Sequence, residues 1–162
     1  MGKFIKFILV AFLILPSFST SYAATAHNTQ LLDFEKIKVT PLVQAEPSEF
    51  IEFFVNTFEK AYEKFSLEEL GNDQQYKSKR EWLTETAIDE LKDAETGNQN
   101  SYYLLFSADK QIVAYLAFHL EDDGKVVYLG QGCIDPKFWG TKGTSYAINK
   151  VVPEYAPKAT LC

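Results

Sequence analysis

The sequence predicts an α+β domain in which a strand and two helices precede an antiparallel meander that ends in a loop and a further helix. Three observations carry this. Apolar residues recur at three- and four-residue spacing from Phe50 to Phe65 and again from Trp82 to Leu91, the period of helices with one buried face. From Tyr102 to Ile134 the period changes to β-rich runs separated by short polar turns. Beyond Ile134, Pro136, Gly140 and Gly143 stop the sheet and open a loop before Tyr146 to Lys150.

Composition bounds the rest. The chain has 162 residues, 46% of them apolar and 15% aromatic, enough to bury the core of one domain and unlike a disordered chain. Sixteen Lys and Arg against 22 Asp and Glu leave a formal charge of -6, which excludes nucleic acid or an anionic membrane held by a basic field. The histidines and cysteines, His27, His119, Cys133 and Cys162, stand at no familiar zinc spacing.

Residues 1–24 read as a secretory signal peptide. Lys3 and Lys6 stand without an acid, Phe7 to Leu15 is apolar, and Ser21-x-Ala23 or Tyr22-x-Ala24 supplies small residues for cleavage. The apolar run is shorter than the roughly 20 residues a bilayer span takes, although an uncleaved anchor is the alternative. Cleavage leaves a single domain over residues 25–162, with a charge of -8 once Lys3 and Lys6 are gone, exported and without a stable membrane span. Export permits a disulfide, so Cys133 either pairs with Cys162 or remains a buried thiol.

In the exported chain, Phe34, Ile37, Val39 and Leu42 suggest a first strand ending near Pro41. Pro47 suits the first turn of a helix and Glu49 its positive end; Phe50, Ile51, Phe54, Phe58, Ala61, Tyr62 and Phe65 make its apolar face. Ser66 to Leu70 predicts a short extra turn stopped by Gly71, and Asn72 to Lys77 a linker. Ser78 and Glu81 form a capping box for the second helix, which runs to a stop near Gly97. Tyr102 to Phe106 and Gln111 to Leu120 are strands joined at Ser107 to Lys110, and both alternating sets of the second are apolar, as in a strand covered on both faces. Glu121 to Lys125 turns into a last strand, Val126 to Ile134.

The loop from Ile134 to Ser145 carries the chemistry. Gly140 and Gly143 let the backbone turn tightly, Thr144 or Ser145 would cap the following helix, and its amino terminus with Lys142 offers N–H groups and charge to a phosphate; a plain surface loop has the same composition. From about Ile37 to Lys150 the chain resembles the GNAT acetyltransferase family, with Ile134-Asp135-Pro136-Lys137-Phe138-Trp139-Gly140 similar to that family's exit from its fourth strand. The family's phosphate loop is Gln or Arg, two residues, Gly, one residue, then Gly or Ala; Gly140-Thr141-Lys142-Gly143-Thr144-Ser145 keeps only the middle Gly. The resemblance implies a GNAT-like fold shortened at the carboxyl end. It lacks the last strands and helix, and Val151 to Pro157 breaks the loop helix where the family continues.

The resemblance also implies acetyl-CoA as cosubstrate and an amine or protein acceptor. Gln131, Cys133 and Ile134 would serve the pantetheine and thioester carbonyl, and Gly140, Thr141, Lys142, Gly143, Thr144 and Ser145 the phosphates. Transfer needs a base for the amine, donors for the oxyanion and a proton for the thiolate. His119 and Glu121 are the candidate bases; Tyr128, or Tyr146, is the candidate acid. Without the later segments turnover is expected to be weak and CoA binding to survive better. The alternatives are a non-catalytic CoA-binding or interaction module of the same fold, and an exported small-ligand-binding cone of helices on a curved sheet, which requires another long strand after Ile134. Amino-terminal sequencing of exported protein is expected to give a start between Ala24 and His27.

Overall fold

The computed structural model describes residues 32–159. The expected targeting segment and Cys162 lie outside the described residues, and Cys133 carries a free thiol. The strands are β1 (Lys38–Pro41), β2 (Ser101–Ala108), β3 (Gln111–Glu121) and β4 (Val126–Ile134). They form one antiparallel sheet in sequence order, β1-β2-β3-β4. Between β1 and β2 stand α1 (Pro47–Ala61) and α2 (Lys79–Thr96). After β4, α3 (Gly143–Tyr146) runs through a π-turn (Ala147–Val151) into α4 (Val152–Tyr155).

The two helices form where the sequence placed them. Pro47 opens α1 with Glu49 in its first turn. At α2 the Ser78 hydroxyl accepts from the Glu81 N–H at 3.1 Å, and the Glu81 carboxylate accepts in turn from the Lys77 N–H at 2.8 Å. In the intervening loop Ser66 and Glu69 make a directly reciprocal pair, the Ser66 N–H donating to the Glu69 carboxylate and the Glu69 N–H to the Ser66 hydroxyl, and Gly71 ends the turn at φ +70°. The β2–β3 hairpin turns on Asp109 and Lys110, both at positive φ (49° and 67°), the twist a tight hairpin needs.

Both faces of the sheet are covered. Phe50, Phe54, Val55 and Phe58 of α1, with Leu83 and Ala87 of α2, pack on Leu105, Tyr115 and Ala117. An aromatic ladder links Tyr115 to Phe50 at 5.1 Å, Phe50 to Phe54 at 5.5 Å, Phe54 to Phe58 at 4.6 Å and Phe58 to Tyr62 at 5.7 Å. On the other face Phe138, Val151, Val152 and Ala156 cover Leu104, Phe106, Phe118 and Leu120.

Three local expectations are corrected. Phe34 lies in a 3₁₀ turn (Phe34–Lys36), and β1 begins only at Lys38, because the Asp33 side chain accepts from the Glu35 N–H and bends the chain there. Phe65 is 49% exposed, since α1 ends at Ala61 before its periodicity runs out. Val151 to Pro157 does not break the last helix at Val151. The π-turn just before Pro153 widens the spiral where a proline ring would crowd the preceding turn, and Val151 and Val152 are core residues. Replacing Phe54 by Ala is expected to lower stability by about 3–5 kcal/mol, read by urea denaturation, because it empties the centre of the ladder.

Candidate functional site

The site begins with an irregularity in the sheet. Leu116 is paired with Gly132 and Phe118 with Leu129, so Gly130 and Gln131 together stand opposite Ala117. This is a β-bulge on β4. A Cβ on Gly130 would lie 3.4 Å from the Ala117 carbonyl oxygen, and one on Gly132 3.2 Å from that of Tyr115; glycine is what lets the bulged strand lie this close. As β4 is the last strand among the described residues, its outer N–H and C=O groups are available to pair with an extended ligand bearing amides.

Beside this edge runs an apolar groove of about 160 Å³. Its walls are Leu129 to Ile134 of β4, Gly143 and Thr144 at the start of α3, and Tyr146 to Ile148. Leu32, Phe34 and Ile37 close it, with Phe34 stacked on Tyr146 at 5.0 Å. The loop between β4 and α3 is pinned at both ends. The Trp139 indole donates to the Ile134 carbonyl at 2.9 Å, and Asp135 accepts from the Lys137 N–H and pairs with its ammonium, both at 3.0 Å. Gly140 takes φ +81°. A Cβ on Gly143 would sit 2.5 Å from Ile134 Cδ1, so the absence of a side chain there seats the start of α3 against the end of β4.

The helical run begins at Gly143 with Lys142 in the capping position and no side-chain cap. Thr144 and Ser145 therefore lie inside the first turn and are not caps, a correction that follows from the tight seat of Gly143 on Ile134. The first turn's N–H groups point out of the helix end, the arrangement that attracts phosphate oxygens. Thr141 Oγ1 is buried without a partner among the described residues.

Gln131, Cys133, Ile134, Gly143 and Thr144 thus line one groove, whereas Gly140, Thr141, Lys142 and Ser145 flank it without lining it. The catalytic candidates assemble elsewhere on the same hairpin. His119 is paired with Tyr128 across β3 and β4, their rings stacked at 5.1 Å, and His119 Nε2 lies 3.3 Å from Glu121 Oε1. His119 stands two residues beyond Ala117, roughly 7 Å along the strand, and all three side chains are open to solvent, Tyr128 at 47%. Tyr146 belongs to the groove wall.

The sequence reading missed Gly130 and Gly132, whose signal was glycine inside a strand, and Phe34, which needed the turn at Asp33. It also missed Glu90. The buried Tyr115 hydroxyl donates to Glu90 Oε2, and Tyr115 is the register partner of Cys133. Burial, with the Glu90 charge adding to it, holds the Tyr115 phenol well above its ordinary range. Burial likewise pushes the Cys133 thiol far up, a hydrogen bond with the Tyr115 backbone only partly opposing it.

Residues 55–161 match the model of the acetyltransferase (GNAT) family. The chain belongs to that family. No curated protein matches its sequence. Among solved structures, this GNAT domain is similar to the PaiA N-acetyltransferase of Thermoplasma acidophilum in complex with coenzyme A. The identity is 16% and the TM-score 0.51, over 74% of this chain and 73% of that one. A possible acetyltransferase from Clostridium difficile 630 shares 11% identity at a TM-score of 0.46, over 71% and 68% of the two chains. The likeness to the first is one of fold. The binding cone is overturned: the chain is a GNAT domain, and from Ile134 to Ala159 the described residues turn and coil into helix without the further long strand that fold requires. Because the Cys133 thiol is held protonated, its alkylation by iodoacetamide at pH 8.5 is expected to be at least tenfold slower than after unfolding, measured by mass spectrometry on the Cys133 peptide.

Proposed function

We propose that this GNAT-family protein binds acetyl-CoA and transfers its acetyl group to an amine, and that it does so outside the cytoplasm after losing residues 1–24. The observation that carries the reading is the bulged edge of β4 leading directly into a glycine-seated helix start. Pantetheine is an extended chain with two amides, the partner an open strand edge takes. Its pyrophosphate would meet the N–H groups of Gly143 to Ser145, with Lys142 adding a cation. The groove between them is mostly apolar and suits the methylene segments. The thioester carbonyl would then lie near the N–H groups from Gln131 to Ile134, which act as donors when negative charge develops on that oxygen. His119 and Glu121 are the bases nearest the bulge along β3, and Tyr128 the hydroxyl beside them. The fold likeness to an acetyltransferase solved with coenzyme A supports the donor.

Phosphate recognition rests on one loop, whereas turnover needs the thioester, amine and proton donor placed together; placement alone contributes several kcal/mol. We therefore expect CoA binding to be stronger than catalysis is fast.

Isothermal titration with CoA is the test. Wild type is expected to bind and Lys142→Glu to bind about tenfold more weakly, about 1.4 kcal/mol, with an unchanged melting temperature because Lys142 is exposed. A flat wild-type isotherm sinks the reading. Binding without any acetylated amine or released CoA thiol would identify a non-catalytic CoA-binding module. Gly143→Val is a poorer probe, since its side chain collides with Ile134 as well as crowding a phosphate.

A further inference from the structure

The sheet runs β1-β2-β3-β4, so β1 lies at the edge opposite β4, three strand spacings or about 14 Å away. The residues just before β1 nevertheless reach the β4 side. Leu32, Phe34 and Ile37 line the groove that Leu129 to Ile134 also line, and Phe34 stacks on Tyr146, three residues after Gly143. The chain from Leu32 to Ile37 is therefore a strap laid across the α3 face of the sheet, closing the groove beside the helix start.

The strap is built as a separate piece. Its polar bonds close on the strap itself. The Glu35 N–H donates to the Asp33 carboxylate at 3.2 Å, the Lys36 N–H to the Asp33 carbonyl at 3.1 Å and the Ile37 N–H to the Phe34 carbonyl at 3.4 Å, while the Lys36 ammonium pairs with Asp33 at 2.9 Å. What fastens it to the sheet is side-chain contact, Leu32 and Ile37 against the apolar core on the α3 face and Phe34 against Tyr146, and all three are only half-buried. From Lys38 onward the register pairs with β2 take over, which makes the Ile37–Lys38 junction a hinge. A segment with local bonds and few buried contacts opens at the low end of a protein's stability range.

The closed groove is also small. At about 160 Å³ it matches the roughly 150 Å³ that takes a single benzene, whereas sites that bury a drug-sized ligand run to about 300–1,000 Å³. A pantetheine arm, with two amides and the methylenes between them, needs more room. Of the groove's walls, β4 is paired along its length with β3 and α3 is seated on Ile134, so the strap is the wall with the least to hold it.

We propose that Leu32 to Ile37 is an autoinhibitory strap that competes with the acyl donor for the groove beside β4 and lifts from Tyr146 when the donor enters. This deepens the acetyl-transfer reading and rests on it for the donor. With the strap shut most of the time, the apparent affinity for the donor is the intrinsic affinity multiplied by the open fraction.

Three measurements on the full chain test this. In isothermal titration Phe34→Ala is expected to bind CoA about tenfold more tightly than wild type, which corresponds to a wild-type strap open roughly a tenth of the time. A gain of less than twofold, or weaker binding, makes Phe34 a wall of the site and overturns the strap. The second measurement needs no variant. Tryptic cleavage of wild type at the Lys36–Ile37 bond, followed by mass spectrometry, is expected to be at least threefold faster with saturating CoA, and an unchanged or slower rate overturns the proposal. The third keeps the donor reading separate. If CoA isotherms are flat in both proteins the donor reading falls, and binding of the apolar dye anilinonaphthalene sulfonate decides the strap. Dye binding at least fivefold tighter in Phe34→Ala supports a strap over an apolar groove, and binding within twofold of wild type overturns it.

Discussion

Two residues of β4 stand where the register of the sheet has room for one, and most of what this molecule offers a ligand follows from that. Up to Leu129 the strand alternates in step with β3; at Gly130 and Gln131 the step is lost, and from Gly132 onward every side chain faces the opposite side from the one strict alternation would give. Without the extra residue Cys133 would point towards α3 and Ile134 towards α1. With it, Ile134 packs beneath Gly143 and Cys133 comes to rest opposite Tyr115. Bulges bend and twist the strand that carries them, and here the bend is at the open edge of the sheet.

That reset gives β4 two separate surfaces. One meets an apolar groove closed by Phe34 and Tyr146 and ends at an uncapped helix start. The other meets the aromatic ladder of α1 and the carboxylate of Glu90. The ladder makes this rigid, since each ring from Tyr115 to Tyr62 is packed against the next and close-packed interiors transmit displacement with little slack.

The elements were legible because their signals are local. A capping serine with a glutamate three residues on, phenylalanines at helical spacing, and strands bounded by Asp-Lys and Asp-Asp-Gly turns each report on a few neighbouring residues. Where the reading failed, the deciding interaction came from elsewhere. Phe34 leaves β1 to stack on Tyr146, more than a hundred positions along the chain. Pro153 remains helical because burial of Val151 and Val152 holds the last turns on the sheet. The loop after β4 was legible through its glycines, yet the reason for Gly143 is the Ile134 side chain beneath it. Glu90 was invisible for a different reason. Among the many acids of α2 it has the composition of a solvated helix face, and only the hydroxyl of a strand residue 25 positions away sets it apart.

The order of strands across the sheet is also their order in the chain. The three strands from Ser101 to Ile134 close through tight turns at Asp109-Lys110 and Asp122-Asp123-Gly124, whose left-handed residues favour reversal, so this meander needs no distant partner and can zip from turn to turn on the timescale of hairpins. Its first strand then serves as the template for β1, which must be carried back across the whole length of α1 and α2, the most costly loop closure in the domain. Loop-closure entropy thus favours forming the meander first, with β1 and its Phe34 turn fastened late.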